Sequence, residues 1–420
     1  MTAAKELTDA LRPFVRGDLP VRLRAWDGSE SGPVDAPLVE VRSPDALRRL
    51  VWHPGELGAA QAYVTGEIEV HPGDSTALSD ALTHVWDVVR ERGLAAVRPS
   101  PAALLRALRT AARLGALRLP PAPPASQARV RGRLHSMGRD RAVISHHYDL
   151  SNDFYALILD ETMAYSSAYW ASPSQSLAEA QRAKLSLVCR KVGLEPGTRF
   201  LDVGCGWGSL SLHAAEEFGA RVTGVTISRE QKAFIDSAVA ERGLGDRVQI
   251  RLQDYREVPD DGFDAVASIE MGEHVGAGNY PAYVEVLRRA VKPGGRVLVQ
   301  QMSRSGKHPG GGPFIEAFIA PDMTMRPVGE TVALLEEGGL EVRDVHAFRE
   351  HYVRTVDAWI ENFEKHAEEL ARLVPEEVLR VWRLYLVGGR MAFRDGRMGV
   401  DQVLAVRPGA AHTVPSERAW

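Results

Sequence analysis

The segment LDVGCGWGSLSLHAA (201–215) places Gly204, Gly206 and Gly208 where a strand-like run turns into a helix. Glycines at such a turn let backbone approach a ligand closely, and the helix start offers N–H groups with no partner inside the helix. The spacing departs from the G-x-G-x-x-G of dinucleotide sites, because Trp207 and Gly208 crowd the place a pyrophosphate would take. A glycine turn that only packs helix on strand is the plain alternative. Two acids add chemistry: Asp202 just before the glycines, and Asp254 after the third strand in LQDYREV. Together they suit a ligand carrying an amino acid moiety and an adenine. Further on, IEMGEHVG (269–276) carries Glu270 and Glu273 at the end of a fourth strand. Paired carboxylates can share general acid–base work, although Glu270 reads better as a strand-end acid facing solvent or a nearby arginine. Cys189 reads as a buried small hydrophobe, and Cys205 sits inside the glycine turn, where its size matters more than its reactivity.

These residues need elements to hold them. TRFLDVGCG (198–206), ARVTGVTIS (220–228), RVQIRLQ (247–253), FDAVASIE (263–270) and GRVLVQQMS (295–303) are apolar, β-branched runs separated by helix-period segments. That alternation predicts a parallel sheet covered on both faces, a doubly wound α/β domain. A predominantly helical tail follows, including 353–374 and 375–396. The chain divides into a small mixed α/β domain at 1–95, with strands expected at 21–26 and 37–43, a linker at 96–141, and the α/β domain at 142–420. From Arg90 to Arg141, twelve arginines face only Glu91 and Asp140, around a Pro-rich break at 119–125. Within it, PAALLRALRTAARLGALRL reads as a helix with Leu104, Leu108 and Ala111 on one side and Arg106, Arg109 and Arg113 elsewhere. A basic amphipathic helix of this kind lies on an anionic membrane surface; a solvated helix bridging two domains is the alternative.

Composition narrows the classes. At 420 residues the chain suggests roughly two to three domains. Hydrophobic residues at 45% and charged residues at 25% exclude a disordered or fibrous chain. A formal net charge of −4 argues against a globally basic nucleic-acid binder. No apolar run approaches the roughly 18 residues a membrane span needs. The acids in MTAAKELTDALRPF do not suit a signal peptide. Two cysteines are too few for a disulfide framework or a zinc cluster, so no metal is expected, and they suit a reduced, cytosolic compartment.

The glycine turn with Asp202 and Asp254 resembles the Rossmann-like class I S-adenosylmethionine-dependent methyltransferases. Five segments resemble one branch, the cyclopropane-fatty-acyl-phospholipid synthases and mycolic acid methyltransferases: HHYDLSNDFYALILDETMAYSSAYW (146–170), LDVGCGWGSL, VTGVTISREQ (222–231), IEMGEHVG and HYVRTVDAWIENF (351–363). The resemblance runs from about residue 140 to the end, and the small leading domain has a counterpart in the phospholipid-acting members. It implies that Tyr165, Ser166, Gly204 and Gly206 hold the amino acid end of S-adenosylmethionine. Thr226, Ile227 and Gln231 would line the ribose side, with Asp254 and Tyr255 at the adenine; alone, Gln231 would read as an exposed helix residue and Tyr255 as a packed core aromatic. His147 would order a lid over the cofactor. Helical additions would bind the acyl chain.

The resemblance also implies a mechanism. Methyl transfer to an alkene leaves a carbocation on the chain, which needs stabilisation and then a base. In the family a bicarbonate is that base, held by a cysteine, a glutamate, a histidine and a tyrosine. Glu273 and Tyr352 stand at the glutamate and tyrosine; Ser167 replaces the cysteine, and Gln300 replaces the histidine and cannot carry charge. The acyl-slot segment 314–327 departs as well. Because two anion-holding side chains change together, a hydride shift before proton loss is expected, giving a 10-methylene-branched acyl chain, with a cyclopropane ring as the alternative. A soluble or carrier-bound acyl substrate, or a non-catalytic cofactor sensor, would be other readings. The expected partners are phospholipid acyl chains reached through the basic segment 98–118 on the inner face of the cell membrane, a second copy in a homodimer, and a reductase for the product.

Overall fold

The structure, a computed structural model, describes residues 2–94, 100–128, 150–259, 262–305, 310–418 and 420. His146, His147 and most of the basic stretch beyond 128 lie outside the described residues. The chain forms two compact units, each assembled from separate stretches.

The first unit comprises Met1–Ala128, Pro313–Ile319 and Phe363–Met391. Its four strands are β1 (Arg22–Ala25), β2 (Glu30–Ser31), β3 (Leu38–Val41) and β4 (Ile68–Val70), in the order β2–β1–β3–β4. Ala4 and Leu7 of the Ala3–Val15 helix pack on Leu23, Ala25 and Val41 of this sheet. Residues 363–391, which the sequence reading places with the tail of the α/β domain, cluster with the leading segment instead. Composition marks where a chain changes character, whereas long-range pairing decides which segments share a core. Arg380 shows that pairing. Only 5% exposed, it donates through Nη1 to Glu69 Oε2 (2.6 Å), through Nε to the Tyr63 carbonyl (2.6 Å) and through Nη2 to the Ile68 carbonyl (2.8 Å). Removing one partner of a buried ion pair strands the other, at a cost of about 3 kcal/mol. Glu69 keeps a longer 3.4 Å contact from Arg42, which is itself half exposed, so Arg380→Met is expected to lower the unfolding free energy of this unit by about 2 kcal/mol in urea titrations; a loss below about 1 kcal/mol would show that Arg42 alone satisfies Glu69.

The basic helix of this unit spans Pro101–Arg113, with the Ser100 hydroxyl accepting from the Ala103 N–H at 3.2 Å and Pro101 in the first turn. It buries a stripe of small residues, Ala103, Thr110 and Ala111, against the Ala3–Val15 helix. The expected grouping of Leu104, Leu108 and Ala111 is thus split: Ala111 faces in, whereas Leu104, Leu105 and Leu108 stay 46%, 49% and 47% exposed. Small side chains let two helices approach closely, so they take the inner face and leave the leucines outside.

The second unit comprises Arg129–Gly312, Ala320–Asn362 and Ala392–Trp420. Its strands are β5 (Arg199–Val203), β6 (Arg221–Thr226), β7 (Val248–Leu252), β8 (Phe263–Ile269), β9 (Val291–Ser303), β10 (Glu341–Ala347) and β11 (Gly399–Val406). They form one sheet in the order β10–β11–β9–β8–β5–β6–β7. β5 to β9 run parallel, and β11 is antiparallel to β9 and β10. Successive residues alternate between two cores. Phe200, Val222, Ala265, Leu298 and Leu404 face the Leu177–Val192 and Ser209–Glu217 helices, while Leu201, Val225, Val266, Val299 and Val403 face the Tyr280–Ala290 helix. This is the doubly wound, Rossmann-like fold. The tail is less helical than its sequence reads: β10 and β11 extend the sheet, and the helix over 353–374 is two, Arg349–Lys365 and Ala367–Leu373. Strand order reverses at β5, with β6 on one side and β8 on the other, which opens a crevice at the carboxyl ends of these strands.

Candidate active site

The glycine turn lies at that crevice. Gly204, Gly206 and Gly208 all have positive φ (+78°, +54° and +82°), a conformation L side chains avoid. A Cβ on Gly204 would meet Met271 Cγ at 2.8 Å, whereas one on Gly206 would enter open space. That open space is a cavity, and its wall includes Tyr165, Ser166, Asp202, Gly204, Gly206, Thr226, Ile227, Gln231, Asp254 and Tyr255, together with Trp207 and Lys184. The structure therefore brings all ten sequence-derived cofactor positions to one place.

Their fine structure fits a polar, partly charged ligand. Gln231 is not the exposed helix residue it would be in isolation: it is 4% exposed, and its Oε1 accepts from Thr226 Oγ1 at 2.8 Å. Asp254 is clasped by Arg256 through Nε and Nη2, both at 2.8 Å. Asp202 accepts from Ser211 Oγ at 2.7 Å, and burial lifts its pKa to about 6. Tyr165 packs between Tyr155 (5.7 Å between ring centres) and Trp359 (5.4 Å). Cys189 and Cys205 are buried, and burial pushes both thiols up, so neither is a nucleophile.

Ser167, Gln300 and Tyr352 also converge, and what they converge on is Glu270. Its Oε1 accepts from the Ser167 N–H and from Gln300 Nε2, both at 2.8 Å, and its Oε2 accepts from the Tyr352 hydroxyl at 2.7 Å. The expectation of a strand-end acid facing solvent or an arginine is overturned. Glu270 also sits at φ +50°, a left-handed conformation unusual outside glycine, and such strain concentrates at functional sites. The Ser167 hydroxyl donates to the Ala168 carbonyl (3.1 Å), so the backbone of Ser167, not its side chain, serves this cluster. Gln402, absent from the sequence-derived set, donates to Gln300 Oε1 (2.9 Å) and fixes the amide with its NH₂ toward Glu270. Tyr352 is held by stacking on Phe393 at 4.3 Å.

Glu273 stands apart. It is fully buried; its Oε1 accepts only a long 3.4 Å bond from the Met302 N–H, and its Oε2 has no partner. Burial, then the neighbouring Glu270, raises its pKa to about 8. Burial also raises Glu270, but three hydrogen bonds and Lys184 oppose the rise. The two environments push the carboxyl groups apart: three donors and Lys184 favour the carboxylate form of Glu270, whereas burial and the neighbouring Glu270 favour the protonated form of Glu273. A bicarbonate does not fit here, because the donors it would use are already given to Glu270.

A profile of the mycolic acid cyclopropane synthetase family matches residues 135–403. The chain belongs to that family. It is 38% identical to a probable fatty acid methyltransferase of Mycobacterium tuberculosis, across 96% of this chain and 95% of that protein. It is 33% identical to the cyclopropane-fatty-acyl-phospholipid synthase of Escherichia coli, across 90% and 89%. Among solved structures it is similar to the mycolic acid cyclopropane synthase CmaA1 in complex with SAH and CTAB, with a TM-score of 0.60 and 30% identity over 64% of this chain and 98% of that one. As a member of the family it is an S-adenosylmethionine-dependent methyltransferase, and the cavity at the glycine turn is where its residues would hold that cofactor.

Proposed function

We propose that this protein methylates the cis double bond of an unsaturated fatty acyl chain in a phospholipid and releases a 10-methylene-branched chain. The single observation that carries this reading is the Glu270 carboxylate, held by the Ser167 N–H, Gln300 and Tyr352 in place of a free anion. S-adenosylmethionine, when bound, supplies an electrophilic methyl group on sulfur. The alkene π pair forms the new C–C bond as the C–S bond breaks toward sulfur, leaving a cation on the adjacent chain carbon. Glu270, fixed and negative, stabilises that cation without reorganising. Three donors take three of its roughly four lone-pair directions, which fixes the carboxylate at the end of β8 and leaves one direction to accept a proton. A hydride shift from the methylated carbon needs no base and moves the cation to that carbon. Glu270 then takes a proton from the added methyl, and its electrons close an exocyclic C=CH₂. Proton loss before the shift would close a cyclopropane ring instead.

The phospholipid substrate is supported by the phospholipid-acting relative in Escherichia coli and by the exposed leucines of the Pro101–Arg113 helix. Among the described residues no helix is long and apolar enough to cross a membrane. Incubation with S-adenosylmethionine and oleoyl phospholipid vesicles is expected to add the mass of one CH₂, with vinylidene proton signals in NMR spectra of the released esters. Ring signals alone would overturn the methylene product, and no added mass would overturn the phospholipid substrate.

A further inference from the structure

Lys184 is a cavity-wall residue and a cation that opposes the rise at Glu270. It lies on the Leu177–Val192 helix, is 1% exposed, and shares the cavity wall with Glu270 and Asp202. Its ammonium donates to Ser166 Oγ at 2.8 Å. One turn earlier, Gln181 Nε2 donates to the carbonyls of Ala164 (3.2 Å) and Ser166 (2.9 Å). The helix thus grips the 164–166 loop at three points, and the next residue, Ser167, gives its N–H to Glu270. Buried lysines are rare unless paired, and here Glu270, Asp160 and Asp202 supply the negative charge around the ammonium.

We propose that Lys184 is a positioning residue for methyl transfer: its charge balances Asp160, Asp202 and Glu270, keeping Glu270 ionised while its hydrogen bond holds the loop that presents the Ser167 N–H. This rests on Glu270 being the base. The groups facing Glu270 are Glu273 from the Gly272–His274 turn, Gln300 from β9, Tyr352 from the Arg349–Lys365 helix, the Ser167 backbone and Lys184. Of these, Lys184 alone is a cation. The groups facing Lys184 are Glu270, Asp160, Asp202 and the thiol of Cys189, with His213 held neutral nearby, its pKa near 4. Burial lowers the ammonium to about 8, so Lys184 is charged at neutral pH and balances its acids there.

The test compares the full-length protein with K184M, K184Q and K184R. The acid limb of the kcat–pH profile, on oleoyl phospholipid vesicles, is expected to move up by about one pH unit or more in K184M and K184Q. It should stay in place in K184R, which keeps the charge. Carbon-13 NMR titration of labelled glutamate carboxyls, with E270Q assigning the Glu270 signal, should show the same upward movement without turnover. Binding of S-adenosylhomocysteine identifies the variants that fold. K184Q keeps a donor for Ser166, so a wild-type profile and titration in folded K184Q would overturn the charge-balancing role. Full activity in E270Q would instead overturn the base on which the proposal rests.

Discussion

Replacing Glu270 by glutamine is expected to slow product formation by about a hundredfold or more while leaving the protein folded. A positioned general base contributes about 10²–10⁴ in rate, and the glutamine keeps the shape but cannot accept the proton. Because Gln300 and the Ser167 N–H point at one oxygen and Tyr352 at the other, one oxygen of the amide can keep part of this pattern. Melting temperatures within a few degrees of wild type are therefore expected. E270G goes further: it empties the space between the three donors and relieves the φ of +50°. In that variant, added bicarbonate should restore activity about tenfold or more over the bicarbonate-free rate, since a free anion can then take the donors and act as the base. Wild type should ignore bicarbonate. Initial rates of acyl product formation decide the matter. Activity of E270Q within about threefold of wild type, with clean folding, would remove Glu270 from the chemistry.

The cofactor half of the site was legible because its chemistry is local. A strand, a glycine turn and a helix start are contiguous, with Asp202 beside them, whereas Thr226 and Gln231, which hydrogen-bond to each other, follow only from the resemblance. Five strands were equally legible, since parallel strands buried on both faces read as continuous apolar runs. The base half was not. Glu270 meets Ser167, Gln300 and Tyr352 at separations of 103, 30 and 82 residues. Nothing in the spacing of Glu270 and Glu273 says which carboxylate meets Ser167, Gln300 and Tyr352. That is decided by the left-handed backbone at Glu270 and by Tyr352 arriving on a helix after β10. Lys184 was hidden for a related reason: on an amphipathic helix a lysine reads as solvated, and only its partners reveal that it is buried. β10 escaped because none of its residues is buried and its apolar side chains do not follow its alternation, Val345 being exposed, and β11 because its run Gly399–Val406 follows a long helix that dominates the local pattern.

Leu104, Leu105 and Leu108 should matter to vesicle binding and not to folding. Each is about half exposed, and the helix that carries them is secured by its other face through Ala103, Thr110 and Ala111. Exposed arginines Arg106, Arg109 and Arg113 flank the leucines, and no acid occurs between Glu91 and Asp140. A half-exposed leucine that enters the acyl boundary gains roughly 1 kcal/mol, so three contribute about 3 kcal/mol, or about a hundredfold in affinity. The triple variant L104S/L105S/L108S is therefore expected to bind anionic vesicles about a hundredfold more weakly in flotation assays. Arg106→Gln with Arg109→Gln should weaken binding less and flatten its salt dependence, because surface charge is screened within about 8 Å at physiological salt. Activity on vesicles should fall with binding, while activity on detergent-dispersed oleoyl phospholipid should not, since the cavity at the glycine turn is untouched. Equal loss on both substrates would place the leucines in the fold rather than at the bilayer. Unchanged flotation would mean that this face meets something other than lipid.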